Sequence, residues 1–240
     1  MSSALIRAAV SLLVMLTSAV RAEPALDPAV SGVLRVVEDA DGFTNLRAAP
    51  GTEAKVVGKV PSGAVIAIEP GAGKSGWHRV EPELSDEEQW IHGSRLRTLE
   101  GWRVAEVAGE GGEKEATVTL EGVVVRVGQT PFRAAEHDVT RMKDGLVLVD
   151  GLAPWGQDGG LPKHGLSLSV RVDGRAVKLP PQALKNLFEP NPESLLVLRP
   201  AKKSGQFVVV MVNGDGAGGY CVAWSFRDGA YVSRAVCVPF

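Results

Sequence analysis

Cysteine is nearly missing from this chain: there are two in 240 residues, and none precedes Cys221. A lipid anchor on an N-terminal cysteine is therefore excluded. So is a nucleophilic cysteine early in a domain with a histidine downstream. A surplus of either charge is missing too. With 26 basic and 28 acidic residues the net charge is -2, which leaves no electrostatic footprint for nucleic acid or anionic lipid. No G-x-S-x-G and no H-E-x-x-H occurs, so the nucleophile elbow and the zinc-protease helix are absent as signatures. The four histidines, His78, His92, His137 and His164, are scattered singly, and no second ligand lies at metal spacing. Neither a metal nor a cofactor is expected.

What is present begins with a leader. Arg7 is the only charge ahead of the apolar run Ala8 to Val20, which ends in Val-Arg-Ala before Glu23. That is the layout of a secretory signal peptide, residues 1–22, cut after Ala22. The run is shorter than the roughly 20 apolar residues a membrane span takes, and the alternative is an uncleaved anchor. The expectation is a periplasmic or secreted protein with no span after cleavage.

The remainder is rich in glycine (28), proline (15) and valine, and poor in long helical periodicities. Such a composition predicts a mainly β chain of short strands. From Val33 to Leu96, VLRVV, NLR, KVVGKV, AVIAIE, GWHRVE and QWIHGSRL are separated by turn residues at Asp41-Gly42, Ala49-Pro50-Gly51 and Pro61-Ser62-Gly63. Six short strands at this spacing predict a small barrel over residues 30–100. Val65, Ala67 and Glu69 alternate with Ile66 and Ile68, so they face opposite ways. The acidic, glycine-rich stretch 105–116 reads as a linker. Residues 117–240 read as an α+β domain dominated by antiparallel sheet, with one short helix at PPQALKNLFEP, where Leu184, Leu187 and Phe188 share a face. GAGKSG, Gly71 to Gly76, contains the end of a phosphate-binding loop, but the first glycine falls at Ile68 and a strand follows. It reads as a hairpin loop.

Residues 33–99 resemble the bacterial SH3 domain family. The resemblance rests on DGFTNLRAAPG, VVGKVPSG, Trp77 with Val80, and Trp90-Ile91-His92 followed by Leu96. The family usually has a short glycine turn before its last Trp, whereas here EPELSDEEQ is acidic and lacks it. Residues 131–234 resemble an uncharacterised family of secreted bacterial proteins in which such a domain comes first. The residues that carry this are VDG, WGQDGGLPK, KLPPQALKNLFEPN and NGDGAGGYCVAWSFRDGAYVSR. The first resemblance implies a barrel that holds a peptide or cell-wall ligand; the second implies no activity. The cysteine peptidases and zinc amidases that often accompany bacterial SH3 modules show no signature here.

Candidate ligand-binding residues are Trp77 and Trp90, as indole edges lining a groove or as barrel core, and Trp155, Asp158 and Asp215 in the glycine loops WGQDGGLP and NGDGAGG. Those loops let backbone N–H groups point outward, although Asp-Gly and Asn-Gly also simply make turns. Asp150 in the VDG turn is a third carboxylate, and a hydrolase would need all three to converge. Neither loop supplies the closely spaced oxygens a Ca²⁺ ion wants. Glu136-His137-Asp138 is an acid–base cluster or a solvated turn. The overall reading is a non-enzymatic envelope protein with a peptidoglycan peptide or an envelope protein as partner; the alternative is a protein-interaction or inhibitor role through an exposed edge strand or apolar patch.

Cys221 and Cys237 are expected to pair, as two cysteines in an oxidising compartment should. A hairpin turning around Gly229 sets Cys221 opposite Cys237, Val222 opposite Val236 and Phe226 opposite Val232. Two reduced, buried cysteines are the alternative.

Overall fold

The computed structural model describes residues 26–81, 87–107, 114–143, 145–157, 159–202, 204–214 and 217–238. The leader, Asp158, Asp215 and part of the acidic loop before Trp90 lie outside them. Among the described residues the chain is mainly β, as expected. One short α-helix, α1 (Pro28–Val33), starts on an Asp27 cap whose carboxylate accepts from the Ala29 N–H.

The first sheet holds β1 (Leu34–Val37), β2 (Phe43–Arg47), β3 (Val56–Pro61), β4 (Val65–Lys74), β5 (Trp77–Val80), β6 (Gln89–His92) and β7 (Leu96–Arg97). Its order is β3-β2-β6-β5-β4-β1-β7. The barrel expected over residues 30–100 is thus not closed by hydrogen bonds: β3 and β7 remain as edges, because β7 is two residues long before the chain leaves for another sheet. The sheet wraps a core nonetheless, with Val37, Leu46, Ile66, Ile68, Val80, Ile91 and Leu96 packed inside it. GAGKSG is the tip of the β4–β5 hairpin, turning through Ser75 and Gly76.

Eleven further strands follow: β8 (Arg103–Glu106), β9 (Glu115–Leu120), β10 (Val123–Pro131), β11 (Val139–Arg141), β12 (Val147–Val149), β13 (His164–Val172), β14 (Arg175–Ala176), β15 (Leu196–Arg199), β16 (Gln206–Asn213), β17 (Tyr220–Arg227) and β18 (Ala230–Cys237). They form a four-stranded sheet β14-β13-β10-β9, a hairpin β11-β12 and a five-stranded sheet β18-β17-β16-β15-β8. The stretch read as a linker, 105–116, begins inside β8 and ends inside β9, and 108–113 lie outside the described residues.

The five-stranded sheet is the middle layer. Val197, Phe207, Val209, Met211, Tyr220, Val222, Trp224, Phe226 and Val236 face the four-stranded sheet and pack on Val118, Val125, Val127, Leu166, Leu168 and Val170. Leu198, Val208, Val210, Cys221, Ala223, Ala235 and Cys237 face the other way, onto Val30, Val33, Leu34, Val36, Val65, Ala67 and Leu99. Burial on both faces explains why QFVVVMV and YCVAWSF are continuous apolar runs, while β9, β10 and β13, covered on one face, alternate. The alternation read in β4 is met: Val65 and Ala67 enter the shared core, Ile66 and Ile68 the inner one. Residues 30–100 and 117–240 therefore share a core. Polar stitches fix the seam: the Val65 N–H donates to Ser233 Oγ at 2.8 Å, and Gln206 Nε2 and Arg227 reach the carbonyls of Gly63 and Ser62.

The helix expected at 180–190 is not formed. Only a 3₁₀ turn, Pro181–Ala183, appears there, and Asn186 and Glu189 take left-handed backbone angles of φ 66° and 46°. The reason lies in β17. The Trp224 indole N–H donates to the Ala183 carbonyl at 2.7 Å and the Tyr220 hydroxyl to the Phe188 carbonyl at 2.9 Å. Both carbonyls are thus held by core side chains, while Leu187 and Phe188 are buried as the apolar pattern implies.

Cys221 and Cys237 are joined, with Cα atoms 5.0 Å apart. Their register is as expected, but the route to it differs. The hairpin closes tightly at Asp228-Gly229, both at positive φ, with Arg227 opposite Ala230; this puts Phe226 opposite Tyr231, not Val232. A bulge between Ser225 and Phe226 then adds one residue and restores Cys221↔Cys237 and Val222↔Val236. Protein alkylated without reduction is expected to carry no modified thiol by mass spectrometry. A Cys221→Ala/Cys237→Ala variant is expected to lose about 3 kcal/mol, the chain-entropy value for a loop of this length, read from denaturant unfolding.

Candidate functional site

The outer face of the first sheet follows from strand alternation. On β2, Leu46 turns into the inner core, so Phe43, Asn45 and Arg47 turn out. On β6, Ile91 turns in, so Trp90 and His92 turn out. The register sets Arg47 and Arg79 opposite Trp90, and Trp77 opposite His92. Cations and aromatics thus alternate on one surface.

A cleft of about 460 Å³ opens on this surface, lined by Asp39, Asp41, Phe43, Thr44, Asn45, Arg47, Thr52, Trp77, His92, Ser94 and Arg95. Trp77 is 9% exposed and packs edge-on against the His92 ring at 5.2 Å. His92 Nδ1 lies 2.7 Å from the Ser94 hydroxyl and 3.3 Å from the Ser94 backbone nitrogen. Asp39 Oδ1 accepts the Asp41 N–H at 3.1 Å and faces Arg95 at 3.4 Å. The Arg47 guanidinium donates to the Ala54 carbonyl at 2.6 Å, and the Lys59 ammonium sits 4.1 Å over the Phe43 ring. Asn45 Oδ1 is buried without a hydrogen-bond partner. Of the two tryptophans read as groove residues, Trp77 lines this cleft. Trp90 shares the face but does not line the cleft, and its indole N–H points to Glu88.

The second group of candidates lies across the molecule. Trp155 is half-buried: its N–H donates to the Asn186 carbonyl, its carbonyl accepts from Phe188, and its ring lies 6.1 Å from Tyr220. Asp158 and Asp215 lie outside the described residues, but the loops that carry them meet, because the Gly156 N–H donates to the Gly218 carbonyl at 3.0 Å and Gly218 abuts the Gln157 backbone. A side chain at 218 would strike that backbone, so the contact requires glycine.

Asp150 is already engaged. It accepts from His137 Nδ1 at 2.8 Å and from the Asp138 N–H at 3.0 Å, closing the base of the β11–β12 hairpin. The His137 ring stacks on Phe132 at 4.8 Å. The Glu136-His137-Asp138 segment is thus a hairpin base, and its partner is thirteen residues away in sequence. Sequence reasoning also missed Glu189. Its Oε1 accepts from the N–H groups of Lys163 and His164 and from Gln157 Nε2, and its Oε2 from His164 Nδ1 at 3.1 Å. Burial alone would raise the Glu189 pKa, but these donors outweigh it and hold it below the ordinary carboxylate value. No local signal marks such a latch, since its partners lie 25, 26 and 32 residues away. Among the described residues no group of three or more His, Cys, Asp or Glu is placed to hold a metal ion.

No protein family, curated protein or solved structure matches this chain.

The His137 and Asp138 donors lower the Asp150 pKa. A depressed carboxylate contributes stability that is complete above its unfolded value near 4 and is lost as the pH falls through the lower folded value. Hydrogen exchange at the Asp138 amide is therefore expected to stay protected down to the ordinary carboxylate range and to rise below it. Asp150→Asn should show the raised exchange already at neutral pH, after correction for intrinsic rates.

Proposed function

We propose that this chain is a non-catalytic, extracytoplasmic binding protein, periplasmic or secreted, whose first sheet holds a peptide of the cell wall in the cleft between Asp41, Asn45, Arg47 and Trp77. The observation that carries the reading is that cleft. It is concave, floored by an aromatic wall and edged by convergent polar groups, the usual make-up of a ligand site. The resemblance of residues 33–99 to bacterial SH3 domains supports the same face. A disulfide between Cys221 and Cys237 suits an oxidising compartment, and no helix among the described residues is long and apolar enough to cross a membrane.

The test uses the whole chain. Residues 30–100 alone would expose Leu34, Val36, Val65, Ala67 and Leu99, all of which the middle sheet covers. Sedimentation with purified peptidoglycan is expected to retain the parent protein and to retain Asn45→Ala about ten-fold more weakly, at an unchanged thermal midpoint. Equal retention of the two, or retention by envelope protein extract alone, overturns the reading.

A further inference from the structure

Three arginines stand on or beside the outward face of the first sheet, and two of them are already matched with acids. Arg79 pairs with Glu69 and Glu88. Arg95 pairs with Asp39, whose buried carboxylate also accepts the Asp41 N–H. Arg47, which lines the cleft, has no carboxylate partner among the described residues. Its Nη1 donates to the Ala54 carbonyl at 2.6 Å. That bond tethers one corner of the guanidinium and leaves the edge formed by Nε and Nη2 unpaired. The Nε of Arg79 is buried, whereas neither nitrogen of this Arg47 edge is. The cleft therefore presents one positioned, reachable guanidinium edge whose anion is missing.

From this, and resting on the reading of the cleft as a peptide site, we infer that Arg47 anchors a carboxylate of the bound peptide through its Nε–H and Nη2–H groups. Those two donors are parallel and spaced as the two oxygens of a carboxylate require, and a pair made in this way is among the strong charge-assisted bonds. Because Nη1 is already tied to Ala54, less side-chain freedom is lost on binding. Asn45 lies two residues before Arg47 on the same outward face. Its Oδ1 is buried, so the part of its amide left for a ligand is the N–H donor end. The acids of the lining do not cancel this preference. Asp39 is neutralised by Arg95. Asp41 precedes the opposite end of β2, whose run from Phe43 to Arg47 spans about 13 Å at the rise of a strand. A terminal carboxylate and an acidic side chain share the chemistry that fills this fork; an ammonium or a neutral amide end does not fill it.

Three probes, each titrated calorimetrically into the whole oxidised chain, isolate the carboxylate: N-acetyl-trialanine, N-acetyl-trialanine amide, and N-acetyl-alanyl-glutamyl-alanine amide. The first is expected to bind about ten-fold more tightly than the second, the gain that one charge-assisted pair predicts. The third shows the source: binding like the first means that an acidic side chain also fills the fork, and binding like the second means that only a chain end does. In Arg47→Gln the ratio between the first two probes should fall to about one, and in Arg47→Lys, which keeps the charge without the fork, it should lie between. The ratio is read within each protein, so a change in stability from losing the Ala54 bond does not enter it. Equal binding of the acid and the amide by the parent chain overturns the inference, as does a ratio unchanged in Arg47→Gln, or no saturable binding of either carboxylate probe at millimolar concentration. Asn45-dependent retention on peptidoglycan is measured separately, so failure of the carboxylate reading is distinct from failure of the cleft.

Discussion

Burying one sheet on both faces is the constraint from which the rest of this molecule follows. The middle layer is covered on both faces, so its inner strands β16 and β17 are nearly continuous apolar runs. They are not apolar evenly. Phe207, Met211, Tyr220, Trp224 and Phe226 fill the side toward the four-stranded sheet, while valines, alanines and the two cysteines line the side toward the first sheet. Small residues let the two layers approach closely, and close approach is what brings Ser225 and Ser233 within reach of the Val65 backbone. The two large polar-tipped residues on the other side discharge their N–H and O–H into one loop, as buried Trp and Tyr must. That choice determines the backbone of residues 183–189.

The first sheet inherits its geometry from the same constraint. Its β1 and β4 are clamped by the middle layer on one side and by the inner core on the other, which makes them a rigid floor. β2, β5 and β6, further from the seam, spend only their inward side chains on packing. Their outward side chains are therefore free to be aromatic and charged, and the cleft lined by Asp41, Arg47 and Trp77 forms there.

Local chemistry was legible in the sequence wherever it decides structure locally. Alternation in β4, β9, β10 and β13, the Xaa-Gly turns and the mainly β class could be read from residue order, because each depends on neighbours a few positions apart. Features decided at long range could not. The Leu184, Leu187 and Phe188 pattern is a good helical face, yet the carbonyls behind it answer to Trp224 and Tyr220. His137 and His164 looked solitary because their carboxylates are remote in sequence. The cysteine pairing was read correctly while the Phe226 partner was not, since the turn is one residue tighter and the bulge compensates only beyond Ser225. Trp77 and Trp90 have the same outward phase, but the register sets Trp77 opposite His92 in the cleft and Trp90 opposite Arg79 and Arg47 beside it.

The Val65–Ser233 bond joins residues 168 apart, and the shared core around it draws on α1, β1 and β4 as well as on β17 and β18. The contact order of this core is therefore high, and chains dominated by such distant pairings fold slowly. While β18 is still being synthesised, the apolar face of Leu34, Val36, Val65 and Ala67 has no cover. Exposed apolar surface of that kind is prone to aggregate during folding. The architecture thus disfavours folding piece by piece from its first strands.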